Sequence, residues 1–170
     1  EILIGLVGSE MCIRDSIKIN KEVLNVKELL SQVTGEFKDK FNKRGLNIIT
    51  KVPEEIVYIK ADSRYLYRVL ENVYSNVAKY AAQDSRVYLD CVLEENGDVV
   101  IYVKNISKEE LNISTDELMQ RFVRGDKSRN TEGSGLGLSI ANSLTELQGG
   151  TFNIHLDGDL FKTEIRFKRV

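Results

Sequence analysis

Residues 126–150 read DKSRNTEGSGLGLSIANSLTELQGG, a glycine-rich turn followed by an apolar pattern of helical spacing. Gly133, Gly135 and Gly137 alternate with other residues where the helix should begin. Each glycine inside a helix costs about 1 kcal/mol relative to alanine, so three at a helix start require a physical reason. Glycines let a ligand approach the free N–H groups at the positive end of a helix dipole. The pattern therefore favours an anion site, with a flexible hinge before a surface helix as the alternative.

The composition is that of one soluble domain. The chain has 170 residues, of which 42% are hydrophobic and 29% are charged, enough for a core of its own. A net charge of −2 gives no overall attraction to nucleic acid. Cys12 and Cys91 are too few for a disulfide framework, and no apolar run is long enough to cross a bilayer. We expect a cytoplasmic location.

Residues 1–16, EILIGLVGSEMCIRDS, differ in character from the rest of the chain. Their apolar run is too short for a secretion signal and lacks a basic start. We expect this leader to be foreign or truncated sequence without a role, and residues 17–170 to form one domain.

Polar capping residues precede the apolar helical patterns at three places. They are Asn25 with Glu28, Asp62 or Ser63, and Ser114 with Glu117. Glycines should end the first helix at Gly45 and the last at Gly149-Gly150. We expect the second helix to run to about Ala82.

Segments that are alternating or rich in β-branched residues predict six strands. They lie at 46–52, 56–60, 87–93, 99–104, 152–156 and 161–167. Pro53 joins the first two, and Asn96-Gly97 predicts a hairpin turn between the third and fourth. The polar segment 105–132 is long enough to be a functional lid or to be disordered. The expected fold class is α+β: a two-layer α/β sandwich with a mixed, largely antiparallel sheet and helices on one face.

Four polar residues share one face of the second helix: Asn72, Asn76, Lys79 and Tyr80. Asparagine is unfavourable inside helices, so this face is predicted to bind something polar. An amide oxygen suits Mg²⁺, which takes few protein ligands together with phosphates, and lysine can meet phosphate as a point charge. The alternative is an ordinary solvated helix face.

Three motifs, in order, resemble those of the sensor histidine kinases of two-component systems. ENVYSNVAKYA at 71–81 resembles the N box, RFVRGDKSRN at 121–130 the F box, and EGSGLGLSIANSLTELQGG at 132–150 the second glycine box. The resemblance covers roughly residues 20–170. It implies a sandwich of the GHKL superfamily that binds Mg-ATP between the N-box helix and a flexible lid.

The resemblance also implies a role for each matching residue. Asn76 would hold Mg²⁺, while Asn72, Lys79 and Arg124 would be the catalytic residues, with Arg124, and Lys127 or Arg129, near the γ-phosphate. The expected cofactor-binding residues are Asn72, Asn76, Lys79, Tyr80, Asn105, Phe122, Gly133, Ser134, Gly135, Leu136 and Gly137. Phe122 would anchor the lid.

The first glycine box of the family, usually Asp-x-Gly-x-Gly, is absent. The chain reads KNISKEEL at 104–111, so Asn105 directly follows the predicted strand at 99–104 and stands where the Asp would accept from the adenine amino group. An asparagine carbonyl can also accept, but it is neutral and therefore weaker. Ser107 and Glu109 replace the glycines, a departure that bears on adenine affinity more than on phosphate binding.

The type of reaction depends on whether the site contains a general base. Hydrolysing relatives and serine kinases of the superfamily place a glutamate four residues before the metal-binding asparagine, where this chain has Asn72. Glu71 lies about 140° round the helix from Asn76. A histidine acceptor needs less help, because neutral imidazole is a nucleophile near pH 7. The sequence favours a histidine kinase; a degenerate nucleotide-binding module and an ATPase with an unusual base remain the alternatives.

The acceptor histidine is expected on another domain. His155 is the one histidine of the chain, and its alternation with Ile154 and Leu156 predicts the polar face of a strand. The resemblance implies a phosphoacceptor domain outside this chain, a cognate response regulator, and a homodimeric parent that is often membrane-anchored in the family. No nucleic-acid partner is expected.

Overall fold

The computed structural model describes residues 17–111, 114, 116–118 and 137–170. In that part of the chain the long helices are α1 (Val26–Asn42), α2 (Ser63–Tyr80) and α3 (Gly137–Leu147). The strands are β1 (Glu22–Asn25), β2 (Asn47–Lys51), β3 (Tyr58–Ala61), β4 (Arg86–Leu93), β5 (Asp98–Ile106), β6 (Thr151–Asp157) and β7 (Leu160–Lys168). Residues 116–118 form a single helical turn, at which the Ser114 hydroxyl accepts from the N–H of Glu117. The prediction for residues 1–16 lies outside this range.

The main sheet has five strands in the order β2-β4-β5-β7-β6. β2 runs parallel to β4, and every other neighbouring pair is antiparallel. The Asn96-Gly97 turn joins β4 to β5, with Gly97 at a φ of 86° and the side chain of Asn96 accepting from the N–H of Asp98 at 2.9 Å. The mixed, largely antiparallel sheet is confirmed.

All three helices cover one face of this sheet. Val99, Ile101 and Val103 of β5 point to that face, and none is more than 1% exposed. They belong to one hydrophobic cluster with the buried stripes of the helices, such as Leu66 and Val73 of α2. The other face carries partly exposed charged and aromatic side chains. The two-layer α/β sandwich is therefore confirmed.

Two predicted caps form as expected. The Asn25 side chain accepts from the backbone N–H groups of Lys27 and Glu28 at 3.1 and 3.3 Å, so the cap begins α1. Asp62, rather than Ser63, is the N-cap of α2. At the other end of the chain, Gly149 takes a φ of 86° two residues after the end of α3.

The structure refines or adds to the sequence predictions in three respects. Element bounds shift by one or two residues, so α2 ends at Tyr80 rather than Ala82. The strands on either side of Pro53 do not pair with each other, because β2 joins the main sheet whereas β3 pairs with β1. β1 was not predicted, since its four residues run directly into the cap of α1.

A buried hydrogen-bond network joins the start of α2 to the end of α3. The Gln148 side chain, 1% exposed, accepts from the backbone N–H of Asp62 at 2.9 Å and donates to Leu144 O at 2.8 Å. The Asp62 carboxylate accepts from the N–H of Asn20 at 2.8 Å. Burial by itself would raise the pKa of Asp62, but hydrogen bonds from Asn20, Arg64 and Tyr65 bring that pKa below its ordinary value. We refer to this pairing of Asp62 with Gln148 as the helix clasp.

Asp62→Ala is expected to lower the free energy of unfolding by about 1–2 kcal/mol at pH 7, because α2 loses its N-cap. The folded-state pKa of Asp62 is depressed, so its contribution is present above the unfolded pKa near 4 and is lost as pH falls through the folded pKa. Urea unfolding of both proteins at pH 7, 5, 4 and 3 should show the difference narrowing at acid pH. Asp157→Ala, on an exposed residue of β6, is the control. A difference that stays constant over this range would contradict the assignment.

Candidate functional site

The start of α3 lies against the middle of α2. A Cβ atom built on Gly137 would stand 3.9 Å from both Cβ and Oδ1 of Asn72. Because the helix clasp joins the opposite ends of these helices, α2 and α3 run antiparallel. The end of the glycine-rich turn and the asparagine-bearing helix therefore lie side by side.

The last two turns of α2 extend beyond the start of α3. At a rise of 1.5 Å per residue, Asn76 lies about 6 Å and Tyr80 about 12 Å further along the axis than Asn72. The residues named for this face, Asn72, Asn76, Lys79 and Tyr80, are all partly buried, whereas Glu71 is exposed. The fully buried stripe of α2, which includes Val73 and Val77, faces the sheet instead. The four predicted residues thus share a half-covered face next to Gly137.

Two cations approach the ring of Tyr80. The Nζ atoms of Lys79 and Lys108 lie 5.5 and 5.8 Å from its centroid. The backbone N–H of Lys108 also donates to Tyr80 O at 2.9 Å, which fixes Lys108 beside the end of α2. Positive charge therefore gathers at this end of the face. Lys108 was not predicted; its position two residues after the end of β5 was the available signal.

Asn105 is 3% exposed and points to the helix-covered face of the sheet. β5 continues to Ile106, so Asn105 lies inside the strand and not after it, because its partners Val87 and Phe161 extend the pairing on both sides. The Oδ1 atom of Asn105 has no hydrogen-bond partner among the described residues. A buried acceptor without a partner costs about 1–3 kcal/mol, so this oxygen is suited to a ligand donor.

The side-chain amide of Asn72 also has a group without a hydrogen-bond partner among the described residues. The Nδ2 atom of Asn72 is buried and has no partner within the described part of the chain. Asn72 lies against Gly137, the first residue of α3, where the first backbone N–H groups of a helix have no partner within the helix. An unpaired donor at this point is suited to an anion such as a phosphate oxygen.

The far end of α2 is held by an arginine from the turn after α1. The guanidinium of Arg44 donates to Ala78 O at 2.6 Å and to Ala81 O at 2.7 Å, satisfying carbonyls that the helix leaves free. The N–H of Ala82 donates to Ile106 O at 2.7 Å and joins the same end to β5. The backbone beneath Tyr80 and Asn105 is therefore fixed. No local pattern in the sequence pointed to Arg44.

Several predicted site residues lie outside the described residues. They are Phe122, Arg124, Lys127, Arg129, Gly133, Ser134, Gly135 and Leu136. Of the glycine-rich turn, the structure describes Gly137, which is the first residue of α3.

His155 lies on the face of the sheet that the helices do not cover. Its Nε2 atom is 3.0 Å from Oε2 of Glu164 on the neighbouring strand β7. Burial tends to raise the pKa of Glu164, but hydrogen bonds from His155 and Arg166 bring that pKa below its ordinary value. His155 is half exposed, as predicted, and the sheet separates it from the asparagine face of α2.

The match to a family model follows the same elements. Residues 61–169 match the family described as "Histidine kinase-, DNA gyrase B-, and HSP90-like ATPase". This match covers more than half of the chain and includes α2, β4 to β7 and α3. The chain therefore belongs to this family, and within it to the ATP-binding catalytic domains of sensor histidine kinases.

Curated relatives support the family assignment. The chain is 33% identical to the sensor histidine kinase HprS of Escherichia coli over 146 residues, which cover 83% of this chain and 28% of HprS. It is 25% identical to the sensor histidine kinase WalK of Bacillus subtilis over 138 residues, or 78% of this chain and 22% of WalK. The chain thus spans about a quarter of the length of these relatives.

Solved structures share the fold. The catalytic domain of histidine kinase ThkA superposes with a TM-score of 0.74 at 18% identity, covering 88% of this chain and 98% of that domain. Full-length ShkA in complex with AMPPNP superposes with a TM-score of 0.78 at 21% identity, covering 99% of this chain and 35% of ShkA. In the part of the chain that the structure describes, no helix has both the length and the apolar character needed to cross a bilayer.

Proposed function

We propose that this chain binds Mg-ATP along the asparagine face of α2, next to the start of α3, and donates the γ-phosphoryl group to a histidine on a separate phosphoacceptor domain. The observation that carries the proposal is the approach of Gly137 to Asn72, which brings a helix N-terminus and an unpaired amide donor together. ShkA, which shares the fold, forms a complex with AMPPNP, a triphosphate analogue. Residues 17–170 are proposed to form this one catalytic domain.

The residues on this face of α2, together with Asn105 of β5, fit the phosphate and nucleoside parts of a nucleotide. Asn72 would donate from Nδ2 to a phosphate, Lys79 would supply positive charge, and the amide oxygen of Asn76 would be a ligand of the metal. Bound Mg²⁺ would neutralise phosphate charge that develops during transfer. Tyr80 and Asn105 lie further along and would contact the nucleoside and its base.

A further group of proposed contacts follows the motif matches. Phe122 would anchor a lid, Arg124 would reach the γ-phosphate region, and the glycine turn would let the backbone approach the phosphates. Its residues are Gly133, Ser134, Gly135, Leu136 and Gly137.

Phosphoryl transfer to histidine is a better fit to this face than hydrolysis. An amide at Asn72 cannot take a proton at neutral pH, and the carboxylate of Glu71 is exposed on another side of the helix. Neutral imidazole requires no base to become a nucleophile. We therefore propose a histidine acceptor, a response regulator that receives the phosphoryl group, and a dimeric parent protein working in the cytoplasm.

The test is a transfer assay with γ-labelled ATP and Mg²⁺. The chain alone is expected to remain unlabelled, because His155 lies on the opposite side of the sheet from the nucleotide face. Addition of the histidine-bearing two-helix domain of its parent protein should give label on that added domain. The matched control is His155→Gln, which should leave the transfer unchanged. Label on His155 in the isolated chain, or no label on the added domain despite bound ATP, would contradict the proposal.

A further inference from the structure

The side chain of Asn105 is a polar group enclosed by apolar neighbours. Val87 of β4 and Phe161 of β7 flank it in register on the same face, and both are buried. Its Oδ1 atom finds no partner in the described part of the chain. In such low-dielectric surroundings a ligand group that pairs with the amide is strongly favoured over one that leaves it unpaired.

An amide can serve either kind of ligand group. It offers a carbonyl acceptor and an NH₂ donor, and a 180° rotation about its terminal bond exchanges them without a change in shape or charge. A carboxylate at the same position could only accept. Asn105 can therefore present whichever group the ligand requires.

The backbone around Asn105 is not free to adapt. The N–H of Ala82 donates to Ile106 O at 2.7 Å, and the N–H of Lys108 donates to Tyr80 O at 2.9 Å. These bonds fix the chain directly after Asn105 to the end of α2. With the backbone held there, rotation of the amide is the adjustment by which Asn105 can meet either kind of base.

Purine bases differ at the position that such an amide would read. Adenine carries an amino donor at its 6-position, whereas guanine carries an acceptor oxygen there, as does hypoxanthine. We propose that Asn105 makes this site accept 6-oxopurine nucleoside triphosphates as well as ATP. The inference rests on the proposed function, because it assigns the base end of the same site.

Inosine triphosphate is the sharpest probe, because its base lacks the additional 2-amino group of guanine. Calorimetric titrations with Mg-ATP and Mg-ITP would compare the chain with its Asn105→Asp variant. For the unmodified chain the two dissociation constants are expected to agree within about tenfold. In the variant, ATP binding should persist, but the dissociation constant for ITP should rise by a further factor of about ten or more. The reason is that a carboxylate facing O6 of the base leaves both of these acceptors without a donor.

Asn153→Asp makes the same chemical change on the uncovered face of β6 and should leave both affinities unchanged. A preference for ATP above about tenfold in the unmodified chain would overturn the inference and leave the proposed function standing. Binding of neither nucleotide would remove the proposed function and the inference together. An unchanged ATP-to-ITP ratio in Asn105→Asp would overturn the role of Asn105. If circular dichroism shows that Asn105→Asp does not fold, the inference is tested by the ratio of the ATP and ITP dissociation constants of the unmodified chain.

Discussion

Asn76→Ala is expected to weaken Mg-ATP binding by about a hundredfold, because the proposed metal ligand on α2 is lost together with the charge neutralisation of the phosphates that it supports. Alanine is a better helix former than asparagine, and Asn76 is only partly buried, so α2 should not lose stability. Calorimetric titration with ATP in the presence of Mg²⁺ measures the effect.

Two controls separate metal binding from other causes. In EDTA the unmodified chain and Asn76→Ala should bind ATP with the same low affinity, since neither then uses the metal. Asn153→Ala, on the opposite face of the sheet, should bind Mg-ATP normally. Full Mg-dependent affinity in Asn76→Ala would show that the metal ligand lies elsewhere.

Gly150→Ala is expected to destabilise the fold by about 2 kcal/mol, a decrease in Tm of about 4–8 °C for a domain of this size. A Cβ atom at this position would stand 2.7 Å from Arg166 O and 2.8 Å from Cζ of Phe167. The carbonyl belongs to a paired strand and Phe167 is buried, so neither can move away without a loss of packing. Thermal and urea unfolding measure the change.

Gly35→Ala is the matched control. Gly35 lies inside α1, and a Cβ atom there meets nothing within 4 Å. The same substitution should therefore stabilise the protein by about 0.5–1 kcal/mol, the difference in helix propensity between alanine and glycine. Equal effects of the two substitutions would mean that the close approach at Gly150 does not exist in solution.

The sequence predicted those parts of the fold that depend on neighbouring residues. The caps at Asn25 and Asp62 and the Asn96-Gly97 turn each follow from local side chains, and all three are confirmed. The ordered motifs predicted the family, which the match over residues 61–169 confirms. Local periodicity and motif order carried this information.

Pairing between distant segments was harder to predict from the sequence. Period-2 alternation gives a strand but not its neighbour, so β3 could not be assigned to β1 from the residues around Pro53. The same limit applies to Arg44, whose contacts with Ala78 and Ala81 bridge more than thirty residues of sequence. Asn105 was predicted to follow the strand, because a polar residue after an apolar run suggests that the strand has ended. In the structure the strand continues, and Asn105 pairs with Val87.

The shared face of Asn72, Asn76 and Tyr80 could be predicted, because helical spacing places these residues on one side of α2. The approach of Gly137 to Asn72 could not, since it depends on how α3 packs along α2. Lys108 was missed because a lysine in a polar segment has no pattern of its own. The metal and phosphate contacts remain predictions that the substitutions above test.

The helix clasp has a mechanical consequence for the site. Because Asp62 and Gln148 hold the two helices together at one end, a change in the angle between α2 and α3 must rotate them about that end. The displacement then grows with distance along the pair and is largest where Gly137 begins α3. A small tilt that leaves the clasp intact would therefore change the separation beside Asn72 more than it changes the contacts near Asp62.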